Sequence, residues 1–147
     1  MTFAPHILLL GGDYVSLHHR HVKSLTARLS QLRIPFGIFG VFGNHDLWLD
    51  DAFLMHELQK ASVRLLVNEA VQLPHPYQAI SLCGLDEPGT GNPDAVLAFQ
   101  NAEPRRILLM HSPLGLKFVR DIPFDLAFCG HTHGGQIAFP WGRFLFG

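Results

Sequence analysis

The chain has 147 residues, 48% of them hydrophobic, and 11 basic against 12 acidic side chains leave a net charge of −1. That length and apolar content suit one domain across residues 1–147 with a sizeable buried core. The charge balance excludes general electrostatic attraction to nucleic acid or anionic membrane, and no apolar run reaches the roughly 18 residues of a membrane span.

Along the chain, His6–Leu10 reads as a buried strand ended by Gly11-Gly12. A helix is expected from about Leu17 to Leu32, because Val22, Leu25, Leu29 and Leu32 recur at spacings of three and four. Arg33-Ile34-Pro35 ends it, since the residue before proline is pushed out of the helical region. Phe36–Phe42 is the next strand, and Gly43 opens a polar loop. A second helix is expected over Asp51–Ala61 with Asp50 or Asp51 as its cap. Strands follow at Arg64–Val67 and Ala79–Leu85, then a loop over Asp86–Pro93 and a short helix over Asp94–Gln100. Arg106–Met110 and Asp125–Cys129 are the last expected strands. Strands alternating with helices early, then thinning helices, predict an α/β layered fold with a central mixed sheet flanked by helices.

Four polar clusters sit where these strands give way to loops. They are Gly12-Asp13, Gly43-Asn44-His45-Asp46, His111 after an apolar run, and Gly130-His131-Thr132-His133. Delivered to one point, an Asp, an Asn and three His form the donor set of a transition-metal hydrolytic centre. Asp13 is the acid placed to bridge two ions. His131 and His133 are two apart, so on an extended segment they point to the same side.

In order and residue type, these clusters resemble the motif series of the calcineurin-like metallophosphoesterases, G-D, G-N-H-D, H and G-H-x-H. The tail Gly130-His131-Thr132-His133-Gly134-Gly135-Gln136 resembles the small bacterial phosphodiesterase branch, some of whose members cleave the pyrophosphate of a UDP-linked acyl glucosamine. The resemblance covers about Pro5 to Gln136. It implies a metal-dependent phosphoesterase acting on a phosphodiester or pyrophosphate through a water activated by two divalent ions (Mn, Zn or Fe). Asp13 would bridge the ions, Asn44, His111 and His131 would complete one of them, and His133 would bind the other. His45 would stabilise phosphoryl charge or protonate the leaving oxygen, with Asp46 orienting it.

Two positions depart from that pattern. No D-x-H motif lies in Met1–Pro5, and Ser16 stands where a second Asp often follows the G-D motif. The chain is therefore read as lacking the family's first motif and its closing strands, and the second expectation is a catalytically impaired metal-binding fragment or interaction module that holds a single ion. The implied partner is a phosphate-ester small molecule or a lipid-linked substrate. A homodimer that exchanges strands is a third reading. The expected location is cytoplasmic or peripheral to a membrane, with any targeting segment outside this chain.

Other features are expected to be structural. His18-His19-Arg20-His21 reads as a solvated helix start, and Asp86-Glu87 as loop surface. Cys83 and Cys129 read as buried reduced thiols. Phe99, Phe118, Phe124, Phe128 and Phe139 read as core, whereas Trp141, Phe144 and Phe146 are expected to be exposed and to promote self-association.

Overall fold

The computed structural model describes residues 4–48 and 50–133, together with the backbone of 137–138 and 144–146. Strand β1 (Leu8–Leu10) leads through a 3-10 turn at His19–His21 into helix α1 (Val22–Leu29), followed by β2 (Ile38–Gly40). Helix α2 (Asp51–Lys60) and β3 (Val63–Leu65) complete the first half. The second half holds β4 (Glu69–Gln72), β5 (Ile80–Gly84), α3 (Ala95–Ala98), β6 (Arg105–Leu109) and β7 (Leu126–Phe128). Two further short strands, β8 (Ile137–Ala138) and β9 (Phe144–Phe146), pair antiparallel.

The expected central sheet is two sheets. One runs β1-β2-β3, all parallel, and the other runs β4-β5-β6-β7 with its β4–β5 pair antiparallel. Strand alternation explains how they stack. Leu9 and Phe39 from the first sheet meet Leu82, Ile107 and Leu109 from the second in one buried cluster between the sheets. The other face of the first sheet (Leu8, Leu10, Ile38 and Val63) packs on Val22, Leu29, Leu54 and Leu58 of α1 and α2. The outer face of the second sheet, through Cys83 and Leu108, packs on Ala98, Phe99 and Val119. The architecture is thus α/β, with two sheets enclosed by helical layers.

The first helix is much shorter than its periodicity implied. Leu17 is 69% exposed and Leu32 48%, both outside α1. The physical reason is tertiary: the Val15 amide donates to Asp46, and the Ser16 carbonyl accepts from His45. Residues held in that way cannot also start a helix. The apolar face that remains is Val22, Thr26 and Leu29, at i, i+4 and i+7. Helix α2 follows its local signals, with the Asp50 carboxylate accepting from the Phe53 amide at 2.9 Å. Strand β4 was not anticipated. Asn68 takes a left-handed φ of 52° at the turn where the chain passes from one sheet to the other.

Several side-chain expectations are corrected. Asp86 and Glu87 are buried, not loop surface. Glu87 Oε2 accepts from the amides of Gly89 and Thr90 and from the Thr90 hydroxyl, while Asp86 accepts from the amides of Glu87 and Asn92. The polar loop satisfies itself and can therefore pack inward. Cys83 is buried, and burial raises its thiol to about 11 against a smaller lowering by Arg106. Cys129 is exposed, because it follows the last residue of β7. Phe99 is buried and Phe124 packs beside the second-sheet cluster, but Phe118 and Phe128 are each 45% exposed. Phe139, Trp141 and the side chains of Phe144 and Phe146 lie outside the described residues.

Tyr14 packs its ring against the α1/α2 core, and its buried hydroxyl finds no hydrogen-bond partner among the described residues. Burial, and then the nearby Asp46 charge, push this phenol well above its ordinary range. Tyr14→Phe is therefore expected to leave stability unchanged or to raise it by up to about 1 kcal/mol. Urea unfolding reads this directly, and a loss of stability would reveal a partner for the hydroxyl.

Candidate metal centre

The site lies at the C-terminal ends of β1, β2, β6 and β7, where parallel strands direct their following loops to one edge of the sandwich. Its centre is the His111 ring, which is only 2% exposed. His111 Nδ1 donates to the Gly11 carbonyl at 2.6 Å, which fixes the tautomer and leaves the Nε2 lone pair facing the site. Around Nε2 stand His131 Nδ1 at 3.0 Å, Asn44 Oδ1 at 3.2 Å and Asp13 Oδ2 at 3.4 Å.

Those spacings match ligands of one ion. Ligand atoms about 2.1 Å from a tetrahedral ion lie about 3.4 Å from each other. The donor atoms of Asp13, His111 and His131 all fall within 4.8 Å of one another. Two imidazoles, one carboxylate and one amide oxygen form a mixed N/O set suited to borderline and harder transition metals. The residues therefore fit a divalent transition-metal ion.

Glycines and a buried acid hold the frame. Gly12 has φ of 89°, and a Cβ there would come within 2.8 Å of His111 Nδ1 and 2.5 Å of the Gly43 amide. Only glycine allows the β1 loop to pass this close. At Gly43 a Cβ would overlap the Asp13 carboxylate. Asp46 is 0% exposed, and its Oδ2 accepts from the amides of Asp13 and Gly43, both at 2.8 Å. Its Oδ1 accepts from the Val15 amide at 3.1 Å. Burial raises the Asp46 pKa, and the three amide bonds offset part of that rise.

This corrects one expectation. The Asp46 carboxylate ties the β1 and β2 loops together by backbone contacts, while the His45 ring is set by other groups. His45 Nδ1 donates to the Ser16 carbonyl at 3.2 Å, and its ring meets Trp48 edge-on at a centroid distance of 4.5 Å. The His45 amide also donates to Asp13 Oδ1 at 3.2 Å.

The last cluster differs too. His131 and His133 are not on extended backbone: their φ values are 70° and 51°. His131 reaches the site, whereas His133 is exposed and stands outside the converging group. Asp13 is also left-handed, with φ of 57°. Such conformations in residues other than glycine cost about 1–3 kcal/mol each and persist where the surroundings impose them. Sequence reading missed Gly11, Ser16 and Trp48. The first two act through carbonyls, which any residue type supplies, and only the Gly11-Gly12 pair hints at the close approach.

Comparison with known proteins shows the family. The family model for calcineurin-like phosphoesterases matches residues 3–135. Phosphodiesterase YaeI of Escherichia coli (strain K12) is 34% identical over 140 residues, covering 92% of this chain and 52% of its own. The uncharacterized metallophosphoesterase YkoQ of Bacillus subtilis (strain 168) is 29% identical over 141 residues, with coverage of 91% and 52%. UDP-2,3-diacylglucosamine pyrophosphatase LpxG of Chlamydia muridarum (strain MoPn / Nigg) is 33% identical over 93 residues, with coverage of 62% and 27%. No solved structure matches. The chain spans about half the length of the first two of these relatives. With its motif loops converging on one donor set and nearly its whole length matched, the chain belongs to the calcineurin-like phosphoesterase family.

Proposed function

We propose that this chain carries the core of a metal-dependent phosphoesterase that hydrolyses a phosphodiester or pyrophosphate bond. The observation that carries the reading is the convergence of Asp13, Asn44 and His131 on the free Nε2 of a buried, tautomer-fixed His111. A divalent transition ion held by these four residues supplies Lewis-acid polarisation of phosphoryl oxygens and lowers the pKa of a water. A second ion would draw on Asp13 and His133. His45 donates Nδ1–H to Ser16, so Nε2 is the nitrogen left to give a proton to the departing oxygen, which requires the imidazolium form. Asp46 is a positioning residue that fixes the two loops carrying Asp13 and Asn44. One relative is named for pyrophosphatase action on UDP-2,3-diacylglucosamine, and that substrate class is the alternative to a simple diester.

The test is metal content and turnover of bis(4-nitrophenyl) phosphate by the full chain loaded with Mn or Zn. His45→Ala should keep its metal and lose about 10²–10⁴ of kcat. Full turnover in that variant would remove His45 from the chemistry. A second reading is a one-ion binding domain without turnover, favoured by the position of His133 outside the group among the described residues. One ion per chain with no hydrolysis would select it.

A further inference from the structure

Beside the metal centre lies a pocket of about 380 Å³ whose wall runs from Asp13 through Ser16 and His18 to Arg20 and His21. The size is that of a small-ligand cleft. Asp13, the acid that would face a cation, is the only carboxylate in this lining among the described residues. Besides the hydroxyls of Tyr14 and Ser16, the side chains able to donate here are the guanidinium of Arg20 and the imidazoles of His18 and His21, each neutral imidazole through one nitrogen. Arg20 Nε donates to His21 Nε2 at 2.8 Å, so the guanidinium is tethered at one nitrogen. Its terminal nitrogens form the planar fork that matches phosphate oxygens. The sequence gives this His-rich turn no task beyond starting α1, and Arg20 and His21 are exposed.

The pocket also adjoins the metal centre: Asp13 belongs to both, and the carbonyl of Ser16, another lining residue, accepts from His45 Nδ1. We infer that this pocket is an anion subsite in which Arg20, with His18 and His21, holds a second phosphoryl group of the substrate. The inference rests on the phosphoesterase reading and narrows it: a disubstituted pyrophosphate is preferred over a simple diester.

Two measurements test it. In the metal-free full chain, treated with EDTA, inorganic phosphate should bind saturably and shift the amide resonances of residues 16–21. Arg20→Ala should weaken that binding at least about tenfold, as loss of a bidentate phosphate contact implies. Arg28→Ala, on the exposed face of α1 away from the pocket, serves as the control and should bind as the parent does. In the metal-loaded chain, Arg20→Ala should lower kcat/KM for UDP-glucose, a disubstituted pyrophosphate, at least about tenfold more than for bis(4-nitrophenyl) phosphate, through KM. The inference is overturned if the metal-free parent shows no saturable phosphate binding, if Arg20→Ala binds as tightly as the parent, or if both substrates suffer equally. Absence of all turnover would defeat the phosphoesterase reading, and the phosphate titration would still decide whether the subsite exists.

Discussion

Asp46→Ala is expected to lose about 3–6 kcal/mol of stability, because it strips the acceptor from three backbone amides at once. Those amides belong to Asp13, Val15 and Gly43, and the carboxylate that serves them is fully buried. Each such donor left without a partner costs about 1–3 kcal/mol, and total stability for a domain of this size is about 5–15 kcal/mol. At about 2–4 °C per kcal/mol, the melting temperature should fall by about 6–24 °C. Asp46→Asn should fall between the parent and the alanine variant. Whichever way the amide turns, it keeps one acceptor oxygen and sets an NH₂ against at least one N–H donor. Thermal unfolding of the metal-free proteins separates the three. A midpoint for Asp46→Ala within about 2 °C of the parent would mean that Asp46 does not hold these loops together.

The second large effect is on metal affinity. His111→Ala should weaken binding of Mn or Zn by more than about 100-fold, since loss of a supporting partner alone costs 10–100-fold. His111 is the atom-level hub of the site and is also buried, so the same change opens a cavity. His131→Ala provides the clean comparison. Its ring is a ligand candidate on an exposed residue, so metal should be lost with little change in metal-free stability. Equilibrium dialysis with elemental analysis measures the first quantity and denaturant unfolding the second. If His111→Ala retains the metal content of the parent, the assignment of Nε2 as a ligand fails.

Much of the layout was legible in the residues. The α2 boundaries, the Asp50 cap, and the strands that deliver His111 and His131 follow from apolar runs and capping chemistry that operate over a few residues. At the first helix, local signals failed because a distant contact had intervened. The Leu17–Leu32 helix was cut back because Val15 and Ser16 are held by Asp46 and His45, about 30 positions later in the chain. The Asp86-Glu87 pair looked solvated because loop composition carries no record of which amides a carboxylate will find.

The candidate site divides along the same line. The side chains that converge there stand in Gly12-Asp13, Gly43-Asn44-His45-Asp46, His111 and Gly130-His131, which drew notice in the sequence because metal chemistry restricts which side chains can serve. The alternation of strand-like and helical runs set the class of fold. Tertiary structure decided the rest: that the layers are two facing sheets, that Asp46 braces backbone while Ser16 holds His45, and that His131 enters the group while His133 stands apart. The physical reason is one of range. Propensity, capping and ligand chemistry act through neighbours in sequence, whereas distances of about 3 Å between residues 20 to 100 positions apart exist only once the strands are packed.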